Sequence, residues 1–245
     1  AGASSVTTTN ANISFSSTIN NGQTLSLTAG AAAVTVTGAT GGTTALTSFT
    51  ASGNTIAVNN VRTTSTQSYT GAASTTFNGT SYLTAGGTFG VTGPALLGAG
   101  ATIDTTNSGG TPAGASISFS TTINNAQTLS LVGGTAGAIT VSGIVGGTTP
   151  LTSFTANANT ISTVGVRTTG LQSYTAPTSS TFNGTYTTTV GAGGTFTVTG
   201  PALLAGASSV TTTNANISFS STINNGQTLS LAAGTGAVTI TGTTG

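Results

Sequence analysis

Residues 1–27, AGASSVTTTNANISFSSTINNGQTLSL, recur unchanged at 205–231, and a looser copy ending in ISFSTTINNAQTLSL occupies 99–131. The chain therefore reads as one unit over 1–98, a second over 99–204 and the start of a third over 205–245. Repetition on this scale constrains the fold more than any short motif. A sequence that repeats end to end describes a stack of equivalent elements, a rod rather than a pocket. The chain is accordingly expected to be a stretch of a longer polypeptide.

A second period lies inside each unit. Short segments of alternating apolar and polar residues begin at Ile13, Val34, Ile56 and Phe77, and a second series begins at Leu25, Leu46, Gln67 and Thr88, with steps of 21 or 22 residues. The second unit repeats the scheme at Ile117, Ile139, Ile161 and Phe182 and at Leu129, Leu151, Gln172 and Thr195. Two interleaved strand series of one period fit the coils of an all-β parallel solenoid, or β-helix, with about 21 residues per rung and about five rungs per unit. In this reading Val34 lies directly over Ile13. Ile13 and Phe15 point inward with Ser14 outward, because side chains alternate along a strand. Asn20-Asn21-Gly22, Gly41-Gly42 and Gly86-Gly87 supply the corners, since Asn and Gly tolerate the backbone that sharp turns require. Ile19 and Val61 are candidates for a short third strand, which would make the cross-section triangular. A string of immunoglobulin-like sandwiches also fits units of about a hundred residues. It gives no reason for a period of 21, and the chain has no Trp.

Composition narrows the function classes. Charged residues make up 1% of the chain, where a soluble domain carries about 25%. Thr, Ser, Asn, Gln and Gly take their place. The formal net charge of +1 offers no footprint for nucleic acid, and no apolar run approaches a membrane span. With no His or Cys and a single Asp104, neither paired carboxylates nor a nucleophilic triad nor a zinc site is expected. The glycine turns lack the acids of calcium-binding rolls. No catalytic residue, metal site or cofactor is expected, and the protein reads as a non-enzyme.

Three residues remain as candidate contacts. Arg62 and Arg167 occupy equivalent VRTT segments. Each reads either as a contact to a sugar, an acid or a neighbouring chain, or as a corner residue whose guanidinium caps carbonyls of adjacent coils. Asp104 lies in TIDTTNSGGTPAG, an expanded segment expected to bulge as a loop. Tyr69 and Tyr174 sit in repeated QSYT strands and are expected in the core with their hydroxyls at a corner. Asn12, Asn78, Asn183 and Asn216 each open an Asn-x-Ser/Thr triplet, so glycosylation stays open.

The coil-length segments ISFSSTINNGQTLSL, AVTVTGATGGTTALTSFTA and VRTTSTQSYTGA resemble the repeats of filamentous-haemagglutinin-like bacterial surface proteins. The resemblance covers essentially the whole chain and lies in repeat style. It implies a right-handed parallel β-helix in a long secreted or surface-attached bacterial polypeptide, with roles in adhesion, biofilm or sheath formation. The chain departs from that family in its scarcity of charge, which suits packing against copies of itself. The expected function is a self-associating extracellular or cell-surface filament. An adhesin stalk presenting loops to a polysaccharide or host surface is the alternative. Ice binding is a minor reading, because the outward residues expected beside the core (Ser14, Thr35, Ala57, Asn78 and Ser26, Thr47, Ser68, Gly90) are mixed.

Overall fold

Strands form where apolar and hydroxyl residues alternate. Leu25–Thr28 buries its two Leu side chains, and Ala33–Val36 buries its two Val side chains, with Ser or Thr facing out between them. In the computed structural model, which describes residues 2–245, such segments wind into a parallel β-solenoid of about 21 residues per turn and about 11 turns. No helix occurs among the described residues. Every strand-to-strand pairing is parallel, and Val34 pairs with Ile13 as the inner period predicts.

The cross-section has three faces, so Ile19 and Val61 do belong to a third column. Face A stacks Leu25, Phe49, Gln67, Phe89, Ile117, Ile139 and Ile161. Face B stacks Ile13, Val34, Ile56, Thr75, Ala95, Ile123, Val145, Val166, Tyr186, Val210 and Leu231. Face C runs from Ile19 through Thr40, Val61, Tyr82, Ile103, Leu131, Ala156, Tyr174, Val198 and Phe219 to Ile240. One sheet system runs from the strand Ser4–Thr7 to the strand Val238–Ile240, and the strand Ala202–Thr212 passes over the boundary between the second and third units.

Two details of register differ from the sequence reading. Leu25 is stacked by Phe49, not Leu46, and Leu129 by Phe154, not Leu151. Leu46 and Leu151 instead fill corners, bridged to Thr63 and Thr168 and almost wholly buried. Likewise Ile56 meets Thr75, while Phe77 meets Val58. The shift from Thr75 to Phe77 is two residues, which keeps the inward face inward; the shift from Leu46 to Phe49 is three, which reverses it.

Equivalent segments of successive units lie on different faces. The ISF strand is on face B at 13–15, on face A at 117–119 and on face C at 217–219. Followed in chain order, the faces advance by fourteen steps from Ile13 to Ile117 and by fourteen again to Ile217. Fourteen steps at three per turn make four and two-thirds turns, just short of the five expected.

The core is a column of aliphatic side chains interrupted by two aromatic clusters. Phe77 and Tyr82 meet edge to face with centroids 4.9 Å apart, and their counterparts Phe182 and Tyr186 do so at 5.2 Å. Edge-to-face pairs add to the burial of the rings themselves.

Candidate functional site

The inward polar groups are structural. Gln67 is buried on face A, and its Nε2 donates to the carbonyls of Val61 at 3.1 Å and Leu83 at 2.8 Å. Its Oε1 accepts from the Tyr69 hydroxyl at 2.8 Å. Gln172 repeats this on face C, donating to Val166 at 3.1 Å and Thr187 at 2.9 Å and accepting from Tyr174 at 3.0 Å. The amide thus ties two neighbouring coils together at a corner, adding a second bond to the Leu83 carbonyl, which also accepts from the Thr63 N–H at 2.9 Å. Tyr82 donates to the Val58 carbonyl at 3.1 Å, and Tyr186 to that of Thr163 at 2.8 Å. All four tyrosines are buried, Tyr69 and Tyr174 in the core as their repeated strands predict. Burial raises every one of these phenols above its ordinary value, with the neighbouring Tyr82 adding at Tyr69 and Tyr186 adding at Tyr174; Tyr186 itself is pushed up to about 12.

Corners are built from Asn, Thr and Gly. Asn20 Oδ1 accepts from Thr43 N–H at 3.0 Å, and Asn124 Oδ1 from Thr148 N–H at 2.9 Å, one coil further on. Asn side chains thereby continue the ladder where the backbone bends away. Gly41 (φ 72°) and its counterpart Gly146 (φ 69°) pass so close to the carbonyls of Arg62 and Arg167 that a Cβ would lie 2.1 and 2.2 Å from those oxygens. The glycine in each GG corner is thus required both by backbone conformation and by space.

The structure places Arg62 and Asp104 in one column of face C, on either side of Leu83, and Arg167 on another face. Arg62 projects from face C and Arg167 from face B, and both are exposed. Arg167 Nη1 donates to the Gly147 carbonyl at 2.9 Å, capping the coil beneath, whereas Arg62 Nη2 reaches only Asn107 Oδ1 at 3.5 Å. Asp104 turns its carboxylate into its own loop. Oδ1 accepts from the Thr106 N–H and hydroxyl, both at 2.6 Å, and Oδ2 from Ser108 N–H at 2.9 Å. With 7% of its surface exposed, Asp104 organises the loop instead of presenting charge.

The feature least apparent in the sequence is on the outside. In the observed register the outward column of face A reads Ser26, Thr50, Ser68, Gly90, Ser118, Thr140, Ser162 and Thr181. Beside it run Thr28, Ser52, Thr70 and Thr92. Face C carries Ser81, Thr102, Ser130, Thr155, Ser173, Thr197, Ser218 and Thr239. Face B starts a ladder of Thr185, Ser209 and Ser230 near its far end. Thr50 takes the place assigned to Thr47 and Thr76 that assigned to Asn78, while Gly90 stays in the face A column and the first coils of face B keep the mixed column expected, Ser14, Thr35 and Ala57, continued by Thr76, Leu96 and Asn124. The signal was present as Ser/Thr-x-Ser/Thr in LSLT, FTAS and QSYT, once strands are aligned on Phe49.

The hollows at the two ends of the described chain open onto core residues, Leu25 and Leu46 at one and Leu204, Ile223 and Leu229 at the other. They are the exposed cross-sections of the solenoid. Comparison with protein-family models, with curated proteins and with solved structures finds no match.

Proposed function

We propose that the protein is a structural filament element that associates with copies of itself, in an extracellular or bacterial cell-surface setting of the kind the filamentous-haemagglutinin-like repeat style implies. The observation that carries this reading is the outer surface: a ladder of Ser and Thr unbroken from Ser81 to Thr239 on face C, a second on face A broken only at Gly90, with two exposed cations on different faces and one buried carboxylate. Such faces approach one another without stripping water from ions, which costs several kcal/mol per ion. Hydroxyls both donate and accept, so a ladder is complementary to itself.

An adhesin stalk is the second reading, favoured by the Thr105–Gly114 loop, the largest departure from the regular coil. Imaging of purified protein at low and high salt separates the two. Filaments or bundles of unchanged size in both are expected of a structural element, since there is little charge to screen. Isolated rods that bind polysaccharide-coated surfaces, and lose that binding when the loop is shortened, would favour the stalk.

A further inference from the structure

We infer that the rod meets copies of itself along all three of its faces, so that lateral association builds bundles rather than flat ribbons. This rests on the self-associating reading above and specifies its geometry. The argument begins with the fourteen-step unit. Fourteen is not a multiple of three, so each unit restarts its hydroxyl ladder two faces further round. The ladder that opens at LSLT lies on face A at Leu25–Thr28, on face C at Leu129–Val132 and on face B at Leu229–Ala232. All three faces are therefore reached within the described residues. At about 4.8 Å per coil, a unit advances the pattern about 22 Å along the axis while turning it by two-thirds of a revolution.

The occupant that fits such a surface is a second copy of this chain. The outward hydroxyls of two rods share one axial spacing, set by the strand separation, so they meet in register over any length. The arginines follow the same rotation, Arg62 on face C and Arg167 on face B, and so do not gather into a repelling stripe. A single ladder five coils tall covers only about 24 Å by 7 Å, far below the roughly 800 Å² per partner of a stable interface. A whole face of eleven coils, about 53 Å long and about 15 Å wide, reaches that size. Association is thus a property of the whole rod.

The test charges one face at a time in the full chain. Ser26→Lys with Ser68→Lys marks face A, and Ser173→Lys with Thr197→Lys marks face C; Ser→Asn at the same serines, with Thr197→Asn, gives uncharged controls that keep polar side chains. Folding is checked by circular dichroism, and association by fibre diffraction and electron microscopy. Wild-type bundles are expected to show lateral order in two directions, and either charged pair to reduce them to thinner ribbons, with the Asn controls bundling as wild type. Combining both pairs leaves no more than paired rods. Wild-type ribbons only one rod thick, or one charged pair without effect while the other abolishes association, overturn the three-face inference and leave self-association standing. Wild-type rods that stay single at every concentration overturn both. Single rods that shape growing ice would assign the ladders to an ice lattice and likewise overturn it. If the lysine pairs fail to fold, the wild-type diffraction decides alone, through the presence or absence of a second lateral direction.

Discussion

At the scale of single residues, inward polar groups fall into two kinds. Gln67 and Gln172 are fully used, each satisfying two carbonyls and a phenol. Thr75 and Ser180 occupy equivalent inward positions, and their hydroxyls have no partner. The two kinds should respond oppositely to apolar substitution. Gln67→Leu takes the acceptor from the buried Tyr69 hydroxyl and one bond from each of two carbonyls, and is expected to cost about 1–3 kcal/mol. Thr75→Val keeps the shape and removes an orphan hydroxyl, and is expected to raise stability by about 1 kcal/mol. Urea unfolding followed by circular dichroism reads both, and a destabilising Thr75→Val would show that its hydroxyl has a partner after all. The tyrosines set a pH limit. Each folded phenol is held above its ordinary value of 10.0, so the unfolded chain gives up protons first. Their contribution is complete below about pH 10 and is lost as pH rises through the folded values. Thermal unfolding should be flat from neutral pH to about 9 and fall steeply above 10; an equally steep fall between pH 7 and 9 would point to another group.

At the scale of the element, alternation of apolar and polar residues revealed the strands, and their recurrence every 21 residues revealed the coils. Ile13, Val34 and Ile56 stack in the order read from the chain. What remained hidden has physical causes. Corner lengths are free to vary, because a Gly-Gly turn can take up slack without touching the pleat. Leu46 therefore matched the period while Phe49 held the stack. The third face was faint because its first two members are single bridged residues, Ile19 and Thr40, too short to show a period. Arg62, Arg167 and Asp104 were legible as residues out of the ordinary, but not in their geometry: which oxygen a guanidinium or a loop hydroxyl finds depends on coils that are distant in sequence. The unit of exchange here is the full coil. Removing residues 67–88 would join Thr66 to Phe89, the residue that stacks on Gln67. All three columns then close with their inward faces preserved. Removing residues 67–77 alone would set the face C strand Ser81–Leu83 over face A, and every later strand on the wrong face. The first deletion is expected to retain the wild-type strand spectrum and cooperative melting, the second to lose both. Loss of structure in the full-coil deletion would mean that the aromatic cluster around Tyr69 and Tyr82, not the coil register, holds the rod together.

Across the whole molecule, each coil touches only the coils above and below it. Stability is then a sum of neighbour terms, and the middle of the rod is protected by its flanks. Both arginines lie in paired strands, Val61–Arg62 and Val166–Thr168, so a protease must first draw a strand out of the ladder. Trypsin is expected to leave the folded rod essentially whole at neutral pH over hours, at low and high salt alike, and to cut at both arginines once urea has loosened the coils. Rapid cutting of the native rod at either site, followed by gel electrophoresis, would show that the coil there opens on its own. The fourteen-step unit also bears on mechanics. A solenoid has compliant places, such as the glycine corners that recur in each unit. Were the unit a whole number of turns, every copy of such a place would fall along one edge, and the rod would bow toward it like a strip with a crease. A turn of two-thirds per unit sends successive weak places to different edges, so that their bends cancel over three units. A long polymer of this sequence would flex equally in every direction about a straight mean axis.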